Sequence, residues 1–149
     1  MRLVTQRVSE ASVVANGKIV GEINKGLFVL LGVKNGDTEK DADTLVEKLS
    51  KMRIMADDKD KMNLGIQDVD ASVLVVSQFT LYAETKKGNR PSFTKAANPE
   101  LANRLYKYFV NQLKMKGIRV QTGHFGEYME INAKLDGPVT IIMSSENSQ

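Results

Sequence analysis

The chain has 149 residues, of which 42% are hydrophobic and 26% are charged, and its net charge is +3. This composition is typical of globular proteins and excludes a mainly disordered chain. The sequence has no cysteine and one histidine, which excludes disulfide scaffolds, thiolate zinc sites, cysteine nucleophiles and a multi-histidine metal site within one chain.

The length predicts one domain over residues 1–144, followed by a polar tail over residues 145–149. No apolar run approaches the roughly 20 residues that a membrane-spanning helix needs. The N-terminus also lacks the apolar core of a signal peptide. We therefore expect a cytoplasmic protein that does not contact a membrane.

The first third of the chain predicts three strands. Residues 2–15 are rich in β-branched side chains and predict the first strand. Asn16-Gly17 is a strong hairpin signal, so residues 18–23 return as a second strand. Residues 26–33 form a continuous apolar run, which predicts a fully buried third strand.

The middle of the chain predicts a helix, a turn and a strand. Asp37 or Thr38 caps the helix, whose apolar residues recur at helical spacing as far as Met52. Residues 57–60 are polar and predict a solvated turn. The apolar stretch over residues 72–79 predicts a fourth strand.

The last part of the chain predicts a basic loop over residues 84–98, a second helix and three strands. Asn98 followed by Pro99 is a strong helix start, and Gly117 ends that helix. The three strands are predicted near residues 118–122, 128–135 and 139–143. This order predicts an α+β fold in which two main helices pack on a mixed or antiparallel, barrel-like sheet.

Positive charge is concentrated between Glu84 and Arg119, where nine basic and two acidic residues give +7. Such a sector on a nearly neutral protein suits an anionic partner such as a nucleic acid. The alternative is a solvated surface without a specific partner. Within the loop, the residues that we expect to contact RNA are Lys86, Lys87 and Arg90.

Polar side chains end the predicted fourth strand, in the segment Ser77-Gln78-Phe79-Thr80. Strand alternation places Gln78 and Thr80 on one face and Ser77 and Phe79 on the other. An unpaired buried polar group costs about 1–3 kcal/mol, so these groups need partners. They either form a site or satisfy neighbouring backbone groups.

Two other candidates lie in loops or turns. Gly137-Pro138 precedes the last predicted strand and reads as a tight turn. General statistics favour a trans bond there, although only an X-Pro bond has real access to cis. A single loop histidine, such as His124, is more often a surface or capping residue than a catalyst.

Six short segments occur in order along the chain, from about residue 2 to residue 143. They are Gln6-Arg7-Val8, Lys61-Met62-Asn63-Leu64, Ser77-Gln78-Phe79-Thr80-Leu81, Arg90-Pro91-Ser92-Phe93, Gln121-Thr122-Gly123 and Gly137-Pro138-Val139-Thr140. Together they resemble the motifs of the D-aminoacyl-tRNA deacylase family. One departure is Leu135, where the family often has Asn before Gly-Pro, so any contact made by that Asn side chain is lost or replaced.

The resemblance implies a homodimer whose active site lies at the subunit interface. The reaction is hydrolysis of the ester between a D-amino acid and the 3′-terminal adenosine of tRNA, and we expect neither a metal nor another cofactor. The catalytic segment would be Ser77, Gln78, Phe79 and Thr80. Gly137 and Pro138, cis in this family, would reach in from the other subunit and reject L-amino acids.

The resemblance also gives roles to three other side chains. Arg7 would brace the Gly-Pro segment, and Phe125 and Met129 would line the site near the adenosine. The filter would work by collision with an L side chain of any identity. Glycine has no side chain, so glycyl-tRNA should be accepted.

With one histidine and no cysteine, the sequence offers no obvious strong base. Thr80 as a nucleophile would need an activating base. In the other mechanism, water attacks with help from the ribose 2′-OH, while backbone N–H groups near Phe79 and Thr80 hold the oxyanion. The family view favours the second route. Two alternative functions stay open, a Thr80-dependent hydrolase of small acyl esters and a non-catalytic tRNA-binding module.

Overall fold

The computed structural model describes residues 1–146, and residues 147–149 of the predicted tail lie outside the described residues. The helices are α1 (Glu39–Lys51) and α2 (Pro99–Met115), with short 3-10 helices at Gln67–Val69 and Phe79–Tyr82. The strands are β1 (Arg2–Ala15), β2 (Lys18–Ile23), β3 (Gly26–Gly32), β4 (Met55–Ala56), β5 (Met62–Leu64), β6 (Ser72–Ser77), β7 (Arg119–Thr122) and β8 (Glu130–Ser144).

The main sheet is mixed and nearly closed. Its order is β2-β1-β3-β6-β7, and β8 pairs with β1. β1 runs antiparallel to β2, β3 and β8, whereas β3, β6 and β7 are parallel neighbours. At Gly21 in β2, a Cβ atom would overlap the carbonyl oxygen of Thr122 in β7, so glycine permits the close approach of these strands. The predicted α+β fold with a barrel-like mixed sheet is confirmed.

The central strands β3 and β6 are almost wholly buried, which explains their continuous apolar sequences. Leu31 on β3 and Phe109 on α2 belong to the larger core, which includes buried residues of both helices. Phe28 and Leu74 belong to a second cluster with Val13 of β1. No helix within residues 1–146 is long and apolar enough to cross a membrane.

Both helices begin at the predicted caps. The carboxylate of Asp41 accepts hydrogen bonds from the backbone N–H and the hydroxyl of Thr38, at 2.8 and 3.1 Å. Asn98 Oδ1 accepts the backbone N–H of Leu101 at 2.9 Å. These bonds satisfy donors that a helix start otherwise leaves free.

The prediction that the fourth strand continues to Phe79 is wrong. β6 ends at Ser77, and the chain turns into the 3-10 helix that begins at Phe79. The turn packs against Gly32 at the end of β3, where a Cβ atom would lie 3.0 Å from Leu81 Cβ. Strand alternation therefore does not apply beyond Ser77.

The prediction of two strands separated by a tight Gly-Pro turn is also wrong, because β8 is one strand of 15 residues. Gln6 pairs with Thr140 and Val8 pairs with Leu135, so residues 136–139 bulge opposite Arg7. The Gly137-Pro138 peptide bond in this bulge is cis. The β4–β5 hairpin around the predicted polar turn was not predicted, since its strands have only two and three residues.

Candidate functional site

A largely apolar cavity of about 640 Å³ opens at the carboxyl end of β6. Its lining comes from the end of β6, the start of α2, Phe93 and the segment that enters β8. The residues with sequence-predicted roles among the lining are Ser77, Gln78, Phe79, Phe125 and Met129. Segments nearly 50 residues apart in sequence therefore meet at one cavity.

Hydrogen bonds fix the segment that follows β6. The backbone N–H of Gln78 donates to the carbonyl oxygen of Leu31 at 2.8 Å, which extends the β3–β6 pairing by one bond. The side-chain Nε2 of Gln78 donates to Thr80 Oγ1. Gln78 and Thr80 thus lie together because of the 3-10 turn, and not because strand alternation places them on one face. Thr80 itself is exposed and does not line the cavity.

Phe79 presents its ring to solvent at the cavity mouth. Its exposed fraction is 54%, and its ring meets that of Phe93 edge to face, with centroids 5.1 Å apart. Such an exposed aromatic pair is a suitable surface for a planar ligand group.

On another wall, Phe125 packs against Tyr106 with ring centroids 6.0 Å apart. Tyr106 is fixed in turn, because its hydroxyl donates to the carbonyl oxygen of Val75 at 2.8 Å. Burial raises the pKa of Tyr106 to about 12, so the hydroxyl stays protonated and keeps this bond at neutral pH. Met129 contacts Gly123, where a Cβ atom would lie 2.6 Å from its sulfur.

Gly137 and Pro138 do not line this cavity. Ile131, which does, lies six residues earlier on β8, or about 20 Å at the usual rise per residue. At the bulge, Arg7 donates to the carbonyl oxygens of Ile54 at 2.9 Å and Asp136 at 3.1 Å. It also pairs with the Asp136 carboxylate at 3.2 Å.

The predicted RNA contacts lie in an exposed loop, closed by a bridge between Glu84 and Ser92. Lys95 pairs with the carboxylate of Glu84 at 3.1 Å, and this contact lowers the pKa of Glu84. The three basic residues, none of which lines the cavity, are Lys86, Lys87 and Arg90.

The sequence reasoning assigned no role to Phe93, Glu127 or Tyr128, all of which line the cavity. Phe93 stood inside a motif, and an aromatic residue in a polar loop was the signal that could have found it. Glu127 is the one carboxylate among the described lining residues. It contacts His124 Nδ1 at 3.2 Å and accepts from Asn16 Nδ2 at 3.3 Å.

The motif segments lie within a region that matches one family model. Residues 4–144 match the model of D-Tyr-tRNA(Tyr) deacylase. The chain belongs to this family. A relative from Bacillus licheniformis, named D-aminoacyl-tRNA deacylase, is 55% identical over 146 residues, or 98% of this chain and 99% of that protein. One of the same name from Thermosipho melanesiensis is 51% identical over 147 residues, which cover 98% of each chain.

Two solved structures share the fold of this family member. A structure titled c-Myc DNA Unwinding Element Binding Protein has a TM-score of 0.90 and 38% identity, and covers 97% of this chain and 98% of that chain. A probable eukaryotic D-amino acid tRNA deacylase has a TM-score of 0.82 and 16% identity, with 95% and 97% covered. At this identity, the second likeness concerns the fold alone. The family predicted from the motifs is confirmed.

Proposed function

We propose that this protein is a D-aminoacyl-tRNA deacylase, which hydrolyses the ester between a D-amino acid and the 3′-terminal adenosine of tRNA. The observation that carries the proposal is the full-length identity of 51–55% to relatives of that name. The cavity adds support, because residues of the Ser77–Phe79 segment line it together with Phe125 and Met129.

In the proposed reaction, a water molecule attacks the ester carbonyl carbon and the bond to the ribose 3′-oxygen breaks. The 2′-OH of the same ribose relays the proton to that oxygen, so the products are a free D-amino acid and tRNA with a free 3′-OH. Backbone N–H groups at Phe79 and Thr80 begin the 3-10 helix and stabilise the oxyanion. Positioning of an activated ester accounts for much of the rate.

Thr80 positions the substrate rather than attacking it. Its hydroxyl oxygen accepts a hydrogen bond from the Gln78 amide, which is a donor and not a base. Thr80→Ala should therefore retain much of the single-turnover rate. Isolation of an acyl ester on Thr80 from a quenched reaction would contradict this mechanism.

Chiral selection is proposed to come from Gly137 and Pro138 of a second subunit. In one chain they lie about 20 Å along β8 from the cavity lining. Within residues 1–146, β8 pairs with β1 alone and exposes Leu135 and Ile142 with exposed fractions of 47% and 69%. An exposed strand of this length that carries apolar side chains suits pairing with a second copy. Two fixed carbonyl groups would then collide with an L side chain.

The decisive experiment is single-turnover release of the amino acid from D-Tyr-tRNA, L-Tyr-tRNA and Gly-tRNA in parallel. Rapid release from the D-Tyr and Gly substrates, with none from L-Tyr-tRNA, supports the deacylase and its steric filter. Equal rates for D-Tyr and L-Tyr would overturn the role of Gly137 and Pro138.

Two companion measurements, of tRNA binding and of small-ester hydrolysis, separate the alternative functions. Salt-sensitive tRNA binding without turnover of any substrate would favour the non-catalytic binding module. Rapid hydrolysis of small acyl esters without RNA, lost in Thr80→Ala, would favour the Thr80-dependent hydrolase. The polar, exposed loop with Lys86, Lys87 and Arg90 fits an RNA substrate better than a small ester.

A further inference from the structure

A second groove, of about 620 Å³, runs beside the candidate active site between α2 and the segment 122–127. Its α2 side is formed by Asn103 and by side chains three, four, seven, eight and eleven positions after it, which lie on one helical face. These α2 residues are Asn103, Tyr106, Lys107, Val110, Asn111 and Lys114. Phe125 and Glu127 line both the groove and the cavity, so the two are contiguous.

The groove holds basic side chains that the protein itself does not neutralise. Four bases of the +7 sector have acidic partners, in the pairs Lys95–Glu84, Arg104–Glu39, Lys116–Glu47 and Arg119–Asp70. Lys107 and Lys114 have no ion-pair partner within residues 1–146. They lie seven residues apart on α2, or about 10.5 Å along the helix axis. The structure thus leaves two spaced positive charges facing one groove.

Asn103, which lines the groove, has a side-chain oxygen that lacks a donor. The side-chain oxygen of Asn103 is buried and has no hydrogen-bond partner within the described chain. An unpaired buried acceptor costs free energy, so a ligand donor in the groove toward which the Asn103 amide can turn is favoured. Ribose hydroxyl and base amino groups are such donors, and phosphates suit Lys107 and Lys114. The carboxylate of Glu127 is engaged by His124 and Asn16.

We infer that this groove binds the single-stranded 3′ end of the tRNA as it approaches the cavity. Lys107 and Lys114 contact its phosphates, and Asn103 accepts from a ribose or base. This assignment rests on the proposed function, since the groove leads into the proposed ester-cleaving cavity. It places the RNA along α2, in addition to the loop with Lys86, Lys87 and Arg90.

The test is equilibrium binding of an uncharged tRNA transcript at several salt concentrations, which requires no turnover. Two lost phosphate contacts reduce the slope of log affinity against log salt by about 1.4–1.8, and weaken binding about tenfold near 0.15 M salt. We expect these changes in Lys107→Gln/Lys114→Gln. The control is Lys48→Gln/Lys59→Gln, which removes the same charge from exposed sites outside the groove and should bind as the wild type does.

An RNA minihelix with and without its 3′ overhang locates the contact. The tenfold difference between the wild type and Lys107→Gln/Lys114→Gln should disappear when the overhang is absent. An equal loss in the control pair, or a difference that persists without the overhang, would overturn the groove assignment. Failure of the proposed function is separate, because it would appear as normal binding without release of any amino acid.

Discussion

Arg7 offers the sharpest test of how the Gly-Pro bulge is held. Its guanidinium donates to the carbonyl oxygens of Ile54 and Asp136 on either side, and its side chain is only 11% exposed. Hydrogen bonds from a charged donor contribute about 1.5–3 kcal/mol each. The ion pair with the Asp136 carboxylate adds only about 0–1 kcal/mol, because that carboxylate is half exposed.

Arg7→Met keeps an apolar stem of similar length but removes both donors. The Asp136 carbonyl can regain water at the exposed bulge, so we expect a loss of about 2–3 kcal/mol in the free energy of unfolding. Arg7→Lys keeps the charge but cannot reach in two directions, and about half of that loss should remain. Urea denaturation of the three proteins measures both values.

A bracing role predicts more than lost stability. If Arg7 holds Gly137 and Pro138 in position, Arg7→Met should release L-Tyr from L-Tyr-tRNA measurably and slow the reaction with D-Tyr-tRNA. Single-turnover rates at a temperature where the variant is fully folded measure both. Lower stability with unchanged rates and an unchanged D-to-L ratio would make the role purely structural. An unchanged unfolding free energy would refute the hydrogen-bond argument itself.

Three further predictions test other parts of the structure. Gly137→Ala should lower the free energy of unfolding by about 1–3 kcal/mol in a urea titration. The reason is that Gly137 has φ +145° and that a Cβ atom there would lie 2.6 Å from Val139 N. The control is Gly36→Ala, at positive φ but in open space, which should lose less stability. Lys116 and Lys51 lower the pKa of Glu47 from 4.5 to about 2. The stabilisation that the Glu47 carboxylate gives the folded state is therefore fully present above pH 4.5 and is lost as the pH falls through 2. Urea midpoints of the wild type and Glu47→Gln should therefore converge over that window and stay apart above it. Burial raises the pKa of Tyr106 to about 12. Tyr106→Phe should therefore leave the tyrosinate absorbance titration unchanged up to pH 11. If the variant lost an ionisation step near pH 10 that the wild type shows, the burial of Tyr106 would be contradicted.

Elements with strong local signals were predictable from the sequence. Asn16-Gly17 closes the β1–β2 hairpin, with both residues at positive φ, as its turn chemistry requires. Asn98 and Pro99 begin α2 because a cap acceptor and a fixed proline φ act within one turn. These interactions span few residues, so their cause is visible in the local sequence.

The two wrong boundaries have distant causes. Nothing in Ser77-Gln78-Phe79-Thr80 interrupts a strand, and the early end of β6 depends on packing against Gly32, on another strand. Likewise, Gly137-Pro138 reads locally as a turn. β8 nevertheless continues through it because β1 supplies pairing partners on both sides of the bulge. Tertiary pairing thus overrides a local turn signal.

The cavity was predictable in part. Motif resemblance selected the lining residues Ser77, Gln78, Phe79, Phe125 and Met129, but it did not select the other residues that line the cavity with them. Those other residues supply one carboxylate, Glu127, among the described lining residues and no lysine or arginine. A site with so few charged groups offers little acid–base chemistry of its own. In the proposed reaction, the substrate's ribose hydroxyl therefore supplies what the side chains lack, and recognition of RNA becomes part of catalysis. A D-aminoacyl ester of a simple alcohol should then react far more slowly than the same ester on tRNA, even at saturating concentration.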